Sequence, residues 1–178
     1  MSVDDDYDDE VTAFYRKYLG KVQGYLINMG TDHGLAEEIA DDAFLGARRY
    51  WAHVRSLDRP EAYIFKIAKN ERGKRQRRFD SHAADLRPEP PEPRQHDAGD
   101  LAEGVADRTV VREALQRLPP RLREVIALRD VEDLALDTTA EIMGISAGAV
   151  KRYAFEGRQR LRVLLPEFGG AGEEGIDR

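Results

Sequence analysis

The chain has 178 residues, 41% of them hydrophobic and 35% charged, with a formal net charge of −6. That length allows one or two small domains with a lean core, and no apolar run reaches the roughly 20 residues of a membrane span. The absence of cysteine excludes disulfides, thiol redox chemistry and Cys-ligated zinc, and the four histidines (His33, His53, His82, His96) lack metal-ligand spacing.

The first ten residues carry six acids and no base. They lack the basic-then-apolar order of a secretory leader, which points to a cytoplasmic protein, and residues 1–9 are expected to be disordered. A first helix is predicted from Glu10 to Met29, because Val11, Tyr15, Tyr18, Val22, Tyr25, Leu26 and Met29 recur at helical spacing. Gly30 and Thr31-Asp32 break it. A second helix, Gly34 to Trp51, has the apolar stripe Leu35, Ile39, Ala43, Phe44 and Ala47, and an opposite acidic face of Glu37, Glu38, Asp41 and Asp42. Trp51 extends that stripe, so core packing and stacking on a nucleic-acid base, which Tyr50 beside it could also do, both stand open for it. A loop from His53 to Arg59 closes on Pro60, which suits the first position of a third helix ending near Phe79. Tyr63, Ile64, Ile67 and Ala68 face inward there. Between Lys66 and Phe79 stand seven basic residues against one acid, too one-sided for mutual ion pairing, so this face suits phosphates.

Residues 80–104 change character. They combine four prolines and many acids with almost no large apolar side chain, and are expected to form a flexible, extended linker. The second domain is predicted over 105–166, opening with the stripe Val111, Ala114, Leu115 and Leu118, stopped by Pro119-Pro120. Leu122, Val125, Ile126 and Arg129 mark the next helix. Two short helices around a tight turn follow: Gly144 supplies the left-handed turn residue, Ile145 packs beneath it, and Ser146 caps the second helix. Val150 and Tyr153 fall on the inner face, and Lys151, Arg152 and Phe155 on another. This is helix-turn-helix spacing, whose second helix enters the DNA major groove. An ordinary helical corner would not need five bases against one acid between Ala147 and Arg162. The tail, 167–178, is Gly-rich and acidic, and is expected to be disordered. The fold class is therefore all-α: two small helical domains on a flexible acidic Pro-rich linker, the second a helix-turn-helix.

Three stretches carry a family resemblance. LAEEIADDAFLGA (35–47), RPEAYIFKIAKNERGKRQRR (59–78) and LPPRLREVIALRDVEDLALDTTAEIMGISAGAVKRY (118–153) together resemble a bacterial RNA polymerase sigma factor of the extracytoplasmic-function group. The resemblance implies a promoter-reading subunit of core RNA polymerase, held through its clamp and flap, that directs initiation and assists melting. It assigns polymerase binding to Glu37, Glu38, Asp41, Asp42 and Leu45. It assigns −10 DNA contacts to Ser56, Arg59, Lys66, Asn70, Lys74, Arg75, Arg77 and Arg78, and −35 contacts to Ser146, Lys151, Arg152, Phe155 and Arg158. Promoter DNA is the second partner and an anti-sigma protein a candidate third. The linker is expected to thread the polymerase cleft as a phosphate mimic, against the alternative of a plain spacer. No cofactor, metal site or catalytic residue is expected.

Two departures stand out. Thr138-Thr139 replaces an apolar and acidic pair, with Thr139 expected in the core. Glu156 and Gly157 interrupt the basic second helix, where glycine costs about 1 kcal/mol of helix propensity relative to alanine. A helix-turn-helix regulator with a helical sensor would have no reason to make residues 59–78 so basic. A nucleic-acid enzyme would need carboxylates converging on a metal, whereas Asp41 and Asp42 point to different faces.

Overall fold

The computed structural model describes residues 3–85 and 103–165, with side chains over 7–81 and 108–165. Every regular element among them is helical: α1 (Val3–Asn28), α2 (His33–Arg49), α3 (Trp51–Val54), α4 (Pro60–Asp85), α5 (Glu103–Gln116), α6 (Pro120–Ile126), a π-turn (Ala127–Val131), α7 (Leu136–Met143) and α8 (Ala147–Leu164). The chain divides into two units, Met1–Ala102 and Glu103–Arg178. No helix among the described residues is long and apolar enough to cross a membrane.

In the first unit, α1, α2 and α4 pack on one another. Val22, Tyr25, Leu26, Ile39, Ala40, Ile64 and Phe65 are fully buried, and the Tyr25 and Phe65 rings meet edge-on at 5.6 Å. Burying each of the larger of these side chains contributes about 1.5–3 kcal/mol, which is what holds three otherwise marginal helices. The α1 stripe is wider than expected. Phe14 lies among Tyr18, Phe44 and Trp51, with ring centroids at 4.8, 6.0 and 5.2 Å, while Tyr15 sits at the exposed edge.

Several helix ends differ from expectation. α2 stops at Arg49 instead of Trp51, and Trp51–Val54 forms the short α3 where the loop was expected to begin at His53. α1 begins at Val3, so residues 3–9 are helical, not disordered. Acids of its second and third turns find tertiary partners: Asp8 pairs with Arg48 at 3.0 Å and Glu10 with Arg55 at 3.0 Å. α4 runs past Phe79 to Asp85, helped by Gln76 donating to Asp80 at 3.0 Å and by the Ser81 hydroxyl donating to the Arg77 carbonyl at 2.9 Å. The remainder of the expected linker, 86–102, and the tail, 167–178, lie outside the described residues.

In the second unit α8 packs chiefly on α6 and α7. Leu115, Leu118, Leu122, Val125, Leu128 and Val150 are buried. The Arg123 guanidinium donates to the Leu115, Gln116 and Leu118 carbonyls at 2.9, 2.8 and 3.2 Å, satisfying acceptors that the end of α5 leaves open. The expected helix through Arg129 widens after Ile126 into the π-turn, which Arg129 closes by donating to the Leu134 carbonyl. Thr139 is fully buried, and its Oγ1 has no hydrogen-bond partner among the described residues. An unsatisfied buried hydroxyl opposes folding, so Thr139→Val, which keeps the shape, is expected to raise stability by about 1 kcal/mol in chemical unfolding. A loss of stability would mean that the hydroxyl has a partner.

Candidate promoter and polymerase surfaces

The helix-turn-helix is built as the spacing requires. Gly144 has φ 64°, a left-handed conformation that side chains with a Cβ resist, and the next amide, Ile145, returns to the Ala140 carbonyl at 3.1 Å. The Ser146 hydroxyl accepts the Ala149 amide at 3.1 Å, capping α8. Ser146 is thus committed to the cap. Val150 and Ala154 are buried and Tyr153 half-buried, which fixes the rotation of α8 and turns Lys151, Arg152 and Phe155 to solvent. Phe155 is 66% exposed, and the Arg152 guanidinium lies 5.1 Å from the Tyr153 ring centroid. An open depression bounded by Leu136, Lys151, Phe155 and Arg158 lies along this face.

Arg158, assigned by the resemblance to the −35 element, is held by a carboxylate within its own unit. Its Nε and Nη2 donate to the Asp130 carboxylate at 2.8 and 2.6 Å, a bidentate pair. Those hydrogen bonds outweigh desolvation and raise the guanidinium pKa above its ordinary value. Arg160 pairs with Glu156 at 2.9 Å. Gly157 is buried against α6: a Cβ there would stand 2.8 Å from Cγ1 of Ile126. The glycine is therefore a close-crossing residue rather than a mere loss of helix propensity.

In the first unit, Glu37, Glu38, Asp41 and Asp42 are all exposed on α2, and Leu45 beside them is 59% exposed. The face is only partly uncommitted. Asp42 pairs with Arg75 at 2.6 Å, and the Tyr15 hydroxyl donates to Asp41 at 3.4 Å. Desolvation, with the Asp41 charge and hydrogen bond, raises the Tyr15 pKa above that of an ordinary phenol.

On α4 the basic residues divide by role. Arg72, within the basic run, donates to the Met29 carbonyl at 2.7 Å and caps α1. Arg75, expected on DNA, is half-buried and ties α4 to α2 through Asp42. Lys74 pairs with Glu71 at 2.6 Å. Lys74, Arg77, Arg78 and Ser81 line one shallow surface, with Asn70 exposed further up the helix and Lys66 and Arg59 half-buried. The Ser56 hydroxyl donates to the His53 carbonyl at 2.7 Å, bracing the loop before α4. Trp51 is 7% exposed, its Nε1 donating to Glu10 at 3.3 Å, so its ring belongs to the core, whereas Tyr50 beside it is exposed. Among the described residues no cluster of three or more histidine and carboxylate groups could hold a metal ion.

One unit ends in a capped helix-turn-helix, an arrangement common in DNA-binding proteins, and the other carries an acidic and a basic helix face. Residues 14–80 match the sigma-70 region 2 family, and residues 108–161 match the sigma-70 region 4 family. The chain is 28% identical to the RNA polymerase sigma factor CarQ of Myxococcus xanthus over 169 residues, which is 90% of this chain and 91% of that protein. It is 25% identical to the ECF RNA polymerase sigma factor SigM of Bacillus subtilis over 167 residues, covering 86% and 94% of the two chains. The sigma factor RpoE of Bartonella quintana, solved with the anti-sigma factor NepR, shares the fold with a TM-score of 0.65 at 23% identity, covering 88% of this chain and 97% of that one. CnrH, solved with the cytosolic domain of CnrY, superposes with a TM-score of 0.62 at 19% identity over 90% of each chain. The chain belongs to the sigma-70 family of transcription initiation factors, in its extracytoplasmic-function group.

Proposed function

We propose that this sigma factor binds core RNA polymerase through α2 and directs initiation by reading two promoter elements. The observation that carries the reading is the solvent face of α8. A capped recognition helix presents Lys151, Arg152 and Phe155 within its first turns, where such helices meet base edges. Arg152 has a guanidinium suited to guanine O6 and N7, and Phe155 an apolar ring suited to a thymine methyl. On α4, Asn70, Lys74, Arg77 and Arg78, with Lys66, Arg59 and Ser56 nearer its start, serve the −10 element. Exposed Tyr50 supplies the ring for an unstacked base that buried Trp51 does not. Leu45, flanked by Glu37, Glu38 and Asp41, is the apolar centre of the clamp contact. The linker follows the polymerase cleft, on the strength of its acidic, Pro-rich sequence. An anti-sigma protein is a regulatory partner by analogy with RpoE, which was solved with the anti-sigma factor NepR. The site of action is the cytoplasm, and the work is binding rather than chemistry.

The experiment is transcription by core polymerase, with and without the protein, from a promoter library followed by single-base −35 variants. Arg152→Ala is expected to cost about 1–3 kcal/mol of promoter binding and to relax preference at one base pair. Loss by the same factor on every −35 variant would make Arg152 a phosphate contact and remove the assignment of base reading.

A further inference from the structure

The π-turn and α8 together build a feature that promoter reading does not require. A π-turn inserts an extra residue into a helix, and such insertions re-aim the side chains that follow. Here it carries Asp130 toward α8, and the chain just after the turn is fixed by the Arg129 bond to the Leu134 carbonyl, with Asp133 in a left-handed conformation at φ 52°. On α8 the close approach of Gly157 to Ile126 and to the Leu122 carbonyl brings Arg158 within reach. The result is a fork-on-fork pair with both carboxylate oxygens engaged. The side chains keep 49% and 28% of their exposure, so the pair adds little to stability by the standards of exposed ion pairs. Its consequence lies in the charge that α8 offers to DNA. Of the five bases on α8, Arg158 and Arg160 have carboxylate partners, and Lys151, Arg152 and Arg162 have none among the described residues.

We propose that Asp130 is a positioning residue that withholds Arg158 from the phosphate backbone, lowering sequence-independent DNA affinity while leaving the base-facing Lys151, Arg152 and Phe155 in place. This rests on α8 being the DNA-facing helix, as argued above. A basic side chain that neutralises one phosphate adds the same affinity on every sequence and steepens the dependence of log K on log salt by about 0.9. A carboxylate locked onto that side chain removes the contribution from promoter and non-promoter DNA alike. Fewer sequence-blind contacts mean less of the polymerase held on competing DNA.

The test uses reconstituted holoenzyme and measures binding to a promoter duplex and to the same duplex with a scrambled −35 element, across a salt series. Asp130→Asn keeps the shape and removes the charge. It is expected to steepen the salt slope by about 0.9 on both duplexes and to raise affinity for the scrambled duplex several-fold at low salt. Arg158→Gln alone is expected to leave the parental slope unchanged, and Asp130→Asn/Arg158→Gln to return to it. A fold-only role for the pair would alter thermal unfolding without moving the slope, and that result overturns the proposal. So does an Arg158→Gln slope shallower by about 0.9, which places Arg158 on a phosphate in the parent; this variant decides the question even if Asp130→Asn does not fold. A parental holoenzyme with no preference for the promoter duplex is a separate failure, of the −35 reading, because the slopes are read on scrambled DNA as well.

Discussion

Trp51→Ala is expected to destabilise the amino-terminal unit by about 3–5 kcal/mol, the cost of deleting a large ring from a packed core. The ring meets Phe14 at 5.2 Å, and its indole nitrogen donates to Glu10, so the deletion opens a cavity between α1 and the start of α3. Glu10 also pairs with Arg55, and the break would therefore reach the loop that precedes α4. Trp51→Phe keeps an aromatic ring against Phe14 and loses the hydrogen bond, for an expected cost of about 1–2 kcal/mol. Urea unfolding followed by circular dichroism reads both. If Trp51 instead stacked on a promoter base, alanine would leave stability within about 0.5 kcal/mol of the parent and impair promoter melting. That outcome would move Trp51 out of the core and onto the DNA-facing surface.

Trp51 shows which parts of the molecule its sequence discloses. Helical stripes were legible because apolar side chains at three- and four-residue intervals must share a face. Periodicity does not fix how wide a stripe is, so Phe14 and Phe65, each one residue from an apolar neighbour already on the stripe, were not recognised as core. The turn of the helix-turn-helix was legible because glycine and serine act there through local backbone chemistry. Helix ends were less so. α1 starts at Val3, and its early acids Asp8 and Glu10 pair with Arg48 and Arg55 about forty residues away, partners that local sequence does not disclose. Charge roles were the least legible. Composition treats the bases of α4 as one phosphate-binding face, yet Arg72 caps α1 and Arg75 joins α4 to α2. Likewise Arg158 stands among the residues that the resemblance assigns to the −35 element, and the π-turn, whose extra residue leaves no sequence mark, brings Asp130 to it.

Gly157→Ala is expected to destabilise the carboxy-terminal unit by about 1–3 kcal/mol, although alanine is the better helix former by about 1 kcal/mol. The two effects oppose each other, and geometry decides between them. The new Cβ would lie 2.8 Å from Cγ1 and 3.1 Å from Cδ1 of Ile126, and 3.5 Å from the Leu122 carbonyl oxygen. Cγ1 is the first branch of a β-branched side chain buried in α6, so it cannot swing clear as the tip of a long side chain could. α8 must then move away from α6, and the Asp130–Arg158 pair one residue beyond must stretch. Promoter-selective transcription is therefore expected to fall together with stability. Ile126→Ala in the Gly157→Ala background removes the opposing Cγ1 and Cδ1 carbons, so the double variant should be more stable than the sum of the two single changes predicts. Strict additivity in urea unfolding, or a Gly157→Ala protein more stable than the parent, would show that the helices already have room for a methyl group and that Gly157 contributes nothing to their crossing.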